Sequence, residues 1–164
     1  MHHQPDGAAF DVVLLLHVGC VVVGLVTAAT AGATATRLRR LLGSPLPLPE
    51  PLRRYFRPGV NWAGRTVYGI PVFGFALVAM SQGAYALGDG WVLGGLALFA
   101  AIALLGEGVL WPTERRLQLA LIPTDAVAHP ADEFLARDAA TMARAALAVL
   151  VLLVAGIVLM LAQP

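Results

Sequence analysis

Four long apolar runs, near residues 10–36, 67–87, 91–111 and 139–162, constrain this chain more than any other feature. Crossing about 30 Å of hydrocarbon takes a helix of roughly 20 residues. A soluble domain of 164 residues has use for one apolar core, but not for four separate runs of that length. With 59% of its residues apolar and 13% charged, the chain reads as an integral membrane protein. The expected fold is all-α: a membrane four-helix bundle of up-down topology, forming a single domain over residues 1–164.

The charges supply an orientation. All eleven basic residues are arginine. Arg37, Arg39, Arg40, Arg53, Arg54, Arg57 and Arg65 lie between the first and second runs, and Arg115, Arg116, Arg137 and Arg144 between the third and fourth. Residues 1–11 and the turn Gly88-Asp89-Gly90 carry only Asp6, Asp11 and Asp89. Cytoplasmic loops retain arginine, so the reading is N-out/C-out. The first run has no positive segment before it, and its basic flank lies on its C-terminal side, so it is expected to be a retained helix and not a signal peptide. The first arginine-rich loop is expected to meet anionic lipid headgroups. No basic patch is interleaved with aromatics, so nucleic acid is not expected as a partner. The single cysteine, Cys20, excludes an internal disulfide.

Between the runs, proline recurs at alternate positions from Ser44 to Pro51, which predicts an extended, polyproline-like linker. Leu52 to Arg57 reads either as an interfacial segment, with Tyr55 and Phe56 dipping inward, or as a solvated basic loop. Trp91 and Trp111, about 30 Å apart at helical rise, suit an aromatic belt at each interface. Pro112 is expected to stop the third helix. A last helix from about Ala131 to Ala162 would be about 48 Å long, with its first turns outside the hydrocarbon.

Small residues mark helix contacts. The first run carries Cys20, Gly24, Ala28, Gly32 and Thr36 at four-residue spacing; the second offers Ala76, Ala79 and Gly83, and the third Gly94, Ala97 and Ala101. Two ionisable groups fall inside the runs, His17 and Glu107. Their depths differ by about 14 Å at helical rise, so they do not form a direct acid–base pair. His17 is expected level with Met80, Ser81, Gln82 and Tyr85. There it is either a structural group hydrogen-bonded to Gln82, Ser81 or Tyr85, or a ligand: His17, Cys20 and Met80 suit copper(I), and a lone histidine suits haem iron. Glu107 either snorkels toward a loop arginine or serves as the carboxylate of a small carrier. Hydrolase and P-loop motifs are absent from the sequence.

Leu16-His17-Val18-Gly19 with Gly24, the segment Arg53-Arg54-Tyr55-Phe56-Arg57-Pro58, and Glu107 to Trp111-Pro112-Thr113-Glu114 together resemble an uncharacterised family of small bacterial four-span membrane proteins. The histidine early in the first run is distantly similar to the copper-resistance D membrane proteins and to the four-span haem-biosynthetic oxidases, whose further histidines, or Arg- and Tyr-rich end to the first span, this chain lacks. The resemblance implies a multi-pass protein of a bacterial cytoplasmic (inner) membrane and supplies no activity. The expected function is an accessory, scaffold or sensor subunit, as a homo-oligomer or within a larger membrane complex. The alternatives are a copper- or haem-binding protein centred on His17 and a proton- or solute-coupled carrier using Glu107.

Overall fold

The computed structural model describes residues 7–42, 48–121 and 132–162, and among these it holds helices and no strand. In chain order they are α1 (Ala8–Leu41), α2 (Glu50–Tyr55), α3 (Trp62–Arg65), a 3₁₀ turn (Thr66–Tyr68), α4 (Gly69–Met80), α5 (Gly90–Leu105), a π-helical segment (Gly106–Leu110), α6 (Trp111–Ala120) and α7 (Asp132–Leu161). Four helical runs, Ala8–Leu41, Trp62–Met80, Gly90–Ala120 and Glu133–Leu161, are long and apolar enough to cross a membrane. The all-α class and the four long apolar helices are as expected. The polar start with His2 and His3, residues 44–47 of the proline-rich linker, and the Pro123-Thr124-Asp125 and His129-Pro130 segments lie outside the described residues. Glu50 and Pro51, expected in the extended linker, instead open α2, where a proline in the first turn costs no hydrogen bond.

The boundaries differ in two places. The second run covers Trp62–Met80 and not 67–87. The Asn61 side chain starts it by accepting from the Gly64 N–H at 3.0 Å. A 3₁₀ turn then tightens the chain just before Pro71, whose ring supplies no N–H. The helix ends early because Gln82 and Gly83 both take positive φ, 51° and 88°. Ser81 closes that end: its hydroxyl donates to the Val78 oxygen at 2.7 Å and accepts from the Tyr85 N–H at 3.1 Å.

Pro112 does not stop the third run, which continues to Ala120. The π segment before it is the reason. The Trp111 N–H reaches back five residues to the Gly106 oxygen. The widened turn accommodates a proline ring that would clash in a regular helix.

Two compact units make up the chain, and α1 and α7 contribute to both. The first unit takes residues 7–27, 61–102 and 150–162. Here Gly24 receives Leu153: a Cβ on that glycine would sit 3.4 Å from the leucine Cδ1. A Cβ on Gly94 would stand 3.0 Å from Leu159 Cδ2. Tyr68 and Phe99 meet edge-to-face at 6.0 Å, and Tyr85 and Trp91 at 5.3 Å.

The second unit takes residues 28–60 and 103–149. Its buried side chains include Ala28, Ala31, Ala35 and Leu38 of α1 and Leu135, Ala139, Met142, Ala146 and Val149 of α7. Spacings alternate between three and four in both helices, which keeps one face in contact. Gly32 meets Ala146, where an added Cβ would find the alanine methyl at 3.5 Å. Of the small-residue series expected on α1, Gly24 and Ala28 are buried, whereas Thr36 is exposed and bonds its own helix at the Gly32 oxygen, 2.8 Å away. Steps of four advance about 40° past a full turn, so the series winds off the contact face.

In α2, Leu52 is buried, and so is Phe56 just beyond it, while Arg53, Arg54 and Arg57 are exposed. The segment is therefore a short helix with segregated faces, its apolar side chains buried within the protein and its arginines exposed.

Candidate functional site

His17 is 4% exposed on α1. Its Nδ1 lies 2.9 Å from the backbone oxygen of Ile70 on α4. A carbonyl only accepts, so Nδ1 carries the proton. Two glycines make the approach possible. Gly74 stands one turn beyond Ile70, and a Cβ there would lie 3.4 Å from His17 Cε1. Gly69 lies against Cys20, where a Cβ would come within 2.5 Å of Sγ, closer than packed atoms tolerate. The other ring nitrogen, Nε2, is sealed from solvent and has no hydrogen-bond partner among the described residues.

This arrangement differs from the expected one. His17 bonds to a backbone carbonyl and to none of Gln82, Ser81 or Tyr85. Ser81 is occupied with Val78 and Tyr85, Gln82 is exposed, and the Tyr85 ring meets Trp91 edge-to-face. The cause is the early end of α4, which moves the helix register so that Ile70 and Gly74 stand at the level of the imidazole. His17 and Cys20 do converge, on neighbouring residues of α4. Met80 is at the far end of that helix, about 15 Å from Ile70 at helical rise. The three-ligand copper set therefore does not assemble. No group of three or more His, Cys, Asp or Glu side chains with metal-binding spacing occurs among the described residues. A haem iron would need Nε2 open to a porphyrin face, and the packing around this nitrogen closes it.

Glu107 belongs to the second unit, exposed on the π segment. Trp111 folds back over Gly106, where a Cβ would meet the indole ring at 3.2 Å.

A second group of polar residues was not singled out in the sequence. Thr113, Glu114 and Gln118 are buried on α6, Glu114 to 5% exposure. Arg116 grips Asp138 of α7 with two donors, Nε to Oδ2 at 3.0 Å and Nη2 to Oδ1 at 3.2 Å, and also donates to the Thr113 hydroxyl at 3.0 Å. Tyr55, at the end of α2, points its hydroxyl into this region beside Thr34 and Glu114. The oxygen is sealed without a well-formed hydrogen bond. Burial, and then the nearby Glu114 carboxylate, raise the phenol well above its ordinary pKa. The signal was present: from Leu110 the buried positions recur at Thr113, Glu114, Leu117 and Gln118, a helical face visible once Pro112 is read as an early helix position.

No family model, no curated protein and no solved structure matches this chain.

Proposed function

We propose that the chain is a multi-pass protein of a bacterial cytoplasmic membrane, N-out and C-out, acting as an accessory or scaffold subunit. The observation that carries the membrane reading is the outward exposure of large apolar side chains along the four long helices. Large apolar residues face outward on the long helices: Leu15 is 72% exposed, Leu104 76% and Leu161 81%. The buried contacts combine small and polar groups, among them Ala28, Ala31, Ala35, His17, Ser81 and Thr113, with larger apolar side chains such as Leu38, Leu117 and Met142. In water such an exterior aggregates; in hydrocarbon it is solvated, and close small-residue contacts supply the association. Side-chain hydroxyls follow the same logic, since Thr27, Thr34 and Thr36 each bond a carbonyl of their own helix. The arginine distribution supports the orientation.

Orientation is tested with a cysteine at position 53 in a Cys20→Ala background. It should react with an impermeant thiol reagent in inverted vesicles and not in intact cells; labelling of intact cells reverses the topology. The subunit reading is tested by native mass measurement in mild detergent. A bare monomer removes it, and a stoichiometric complex supports it.

A second reading rests on the partnerless Nε2 of His17. With Nδ1–H held by Ile70, that nitrogen presents a lone pair as a ligating imidazole does. Ligation of a metal or haem iron there requires the surrounding side chains to part. Purified protein would then carry a Soret band or stoichiometric metal that His17→Ala loses, and absence of both from the wild type ends this reading.

A further inference from the structure

The packing of α2 against α1 brings two arginine-bearing segments together. Tyr55 of α2 stands beside Thr34 of α1. Arg54 is its chain neighbour, and Arg37 follows Thr34 by one helical turn. On the two segments that meet here, Arg37, Arg39 and Arg40 of α1 and Arg53, Arg54 and Arg57 in and just after α2 are all exposed. Arg53 approaches Glu50 at 3.9 Å with both side chains largely in solvent, a weak pair. The other five form no ion pair with any described residue.

Six guanidinium groups around one contact repel each other unless anions lie among them. Two acids of the same unit are engaged elsewhere: Asp138 is taken by Arg116, and Glu114 is buried beside Tyr55. The anchoring side chains, in contrast, are apolar or sealed. Leu52 and Phe56 are buried and the Tyr55 hydroxyl is closed from solvent, so α2 is fixed by one face and displays its charge on the other.

We infer that this α1–α2 elbow is a binding face for anionic phospholipid headgroups. The inference rests on the membrane reading above and goes beyond it by assigning a ligand to particular residues. Arginine suits this ligand because its planar fork meets phosphate oxygens two at a time. The elbow also lies at the end of the apolar α1, the level at which lipid phosphates would stand. Tyr55 is a positioning residue: it holds the cationic helix in place and touches no phosphate.

The test uses the full chain in nanodiscs of phosphatidylcholine containing spin-labelled phosphatidylglycerol or spin-labelled phosphatidylcholine. The immobilised fraction of each label reports its contact with the protein. The wild type should prefer phosphatidylglycerol severalfold, and the preference should fall as salt is raised. Arg39→Gln/Arg54→Gln/Arg57→Gln should bring it toward parity, as should Tyr55→Ala, which removes no charge. Arg137→Gln/Arg144→Gln, a loss of charge elsewhere, should keep it. Circular dichroism verifies that each variant remains helical. Parity in the wild type, or a preference unchanged in the triple variant, overturns the assignment while leaving the membrane reading intact. Failure of the wild type to enter nanodiscs, with solubility in plain buffer, overturns both.

Discussion

His17 and Ile70 are joined by a side chain-to-backbone hydrogen bond of 2.9 Å that ties α1 to α4 within the first unit. The bond depends on Gly74, which leaves room for the ring over the carbonyl. His17→Ala removes both the donor and a buried ring, and should lower stability by about 2–3 kcal/mol. Gly74→Leu should act in the same direction by evicting the ring. Thermal or denaturant unfolding in detergent reads both, and wild-type stability in the two variants would show that the contact is incidental.

Gly69 and Cys20 should behave as a coupled pair. An added Cβ at position 69 meets the thiol at 2.5 Å but the Cys20 Cβ only at 3.5 Å. Gly69→Ala alone should therefore destabilise by about 1–3 kcal/mol. Adding Cys20→Ala, which removes the sulfur, should return most of that loss. A double-mutant cycle measures the coupling, and strict additivity would contradict the contact.

Gln82 holds a left-handed backbone, φ 51°, where glycine is the usual occupant after a helix. Gln82→Gly relieves that strain and gives back part of the gain as unfolded-chain entropy. The net effect expected is a stabilisation of about 0.5–1 kcal/mol. Gln82→Val should lower the melting temperature, and the reverse ranking of the two variants would rule out the strain.

Tyr55 gives a pH dependence with a definite sign. Its folded-state pKa is raised, because burial and then Glu114 disfavour the phenolate. The stability linked to it is fully present below the unfolded value of about 10 and declines as pH rises above that point. Tyr55→Phe should flatten this alkaline decline. In a tyrosinate absorbance titration, one of the three tyrosines should ionise late, together with unfolding. If all three titrated together near the ordinary value, the burial would be contradicted.

Much of the fold was legible because hydrophobic length is a property of the chain itself. The four apolar helices, the last of them Asp132–Leu161, follow from composition and span length. Boundaries were less legible where backbone geometry decided them. Gly88-Asp89-Gly90 looks like the turn, yet Ser81, Gln82 and Gly83 end α4 earlier. Pro112 looks like a stop, yet a wider turn before it lets the helix continue. The same two features hide the site. A helix read seven residues too far placed His17 beside Ser81, and a helix ended too soon turned Glu114 into a loop residue. The polar contact of His17 with a main-chain oxygen has no residue type to announce it.

The π segment has one more consequence, for the phase of the helix. Gly106, Leu110, Glu114 and Gln118 are spaced by four and all are buried. In a regular helix the last would be rotated about 120° from the first. One extra residue absorbed in the wide turn takes out about 100° of that rotation, leaving the four nearly in line. The same spacing of four winds off the contact face on α1, where Thr36 turns outward and no such turn intervenes. A single-residue deletion between Gly106 and Leu110 would therefore leave a regular helix with Glu114 and Gln118 still facing the interior, whereas straightening the wide turn without a deletion would swing both outward by about 100° and alter neither side chain.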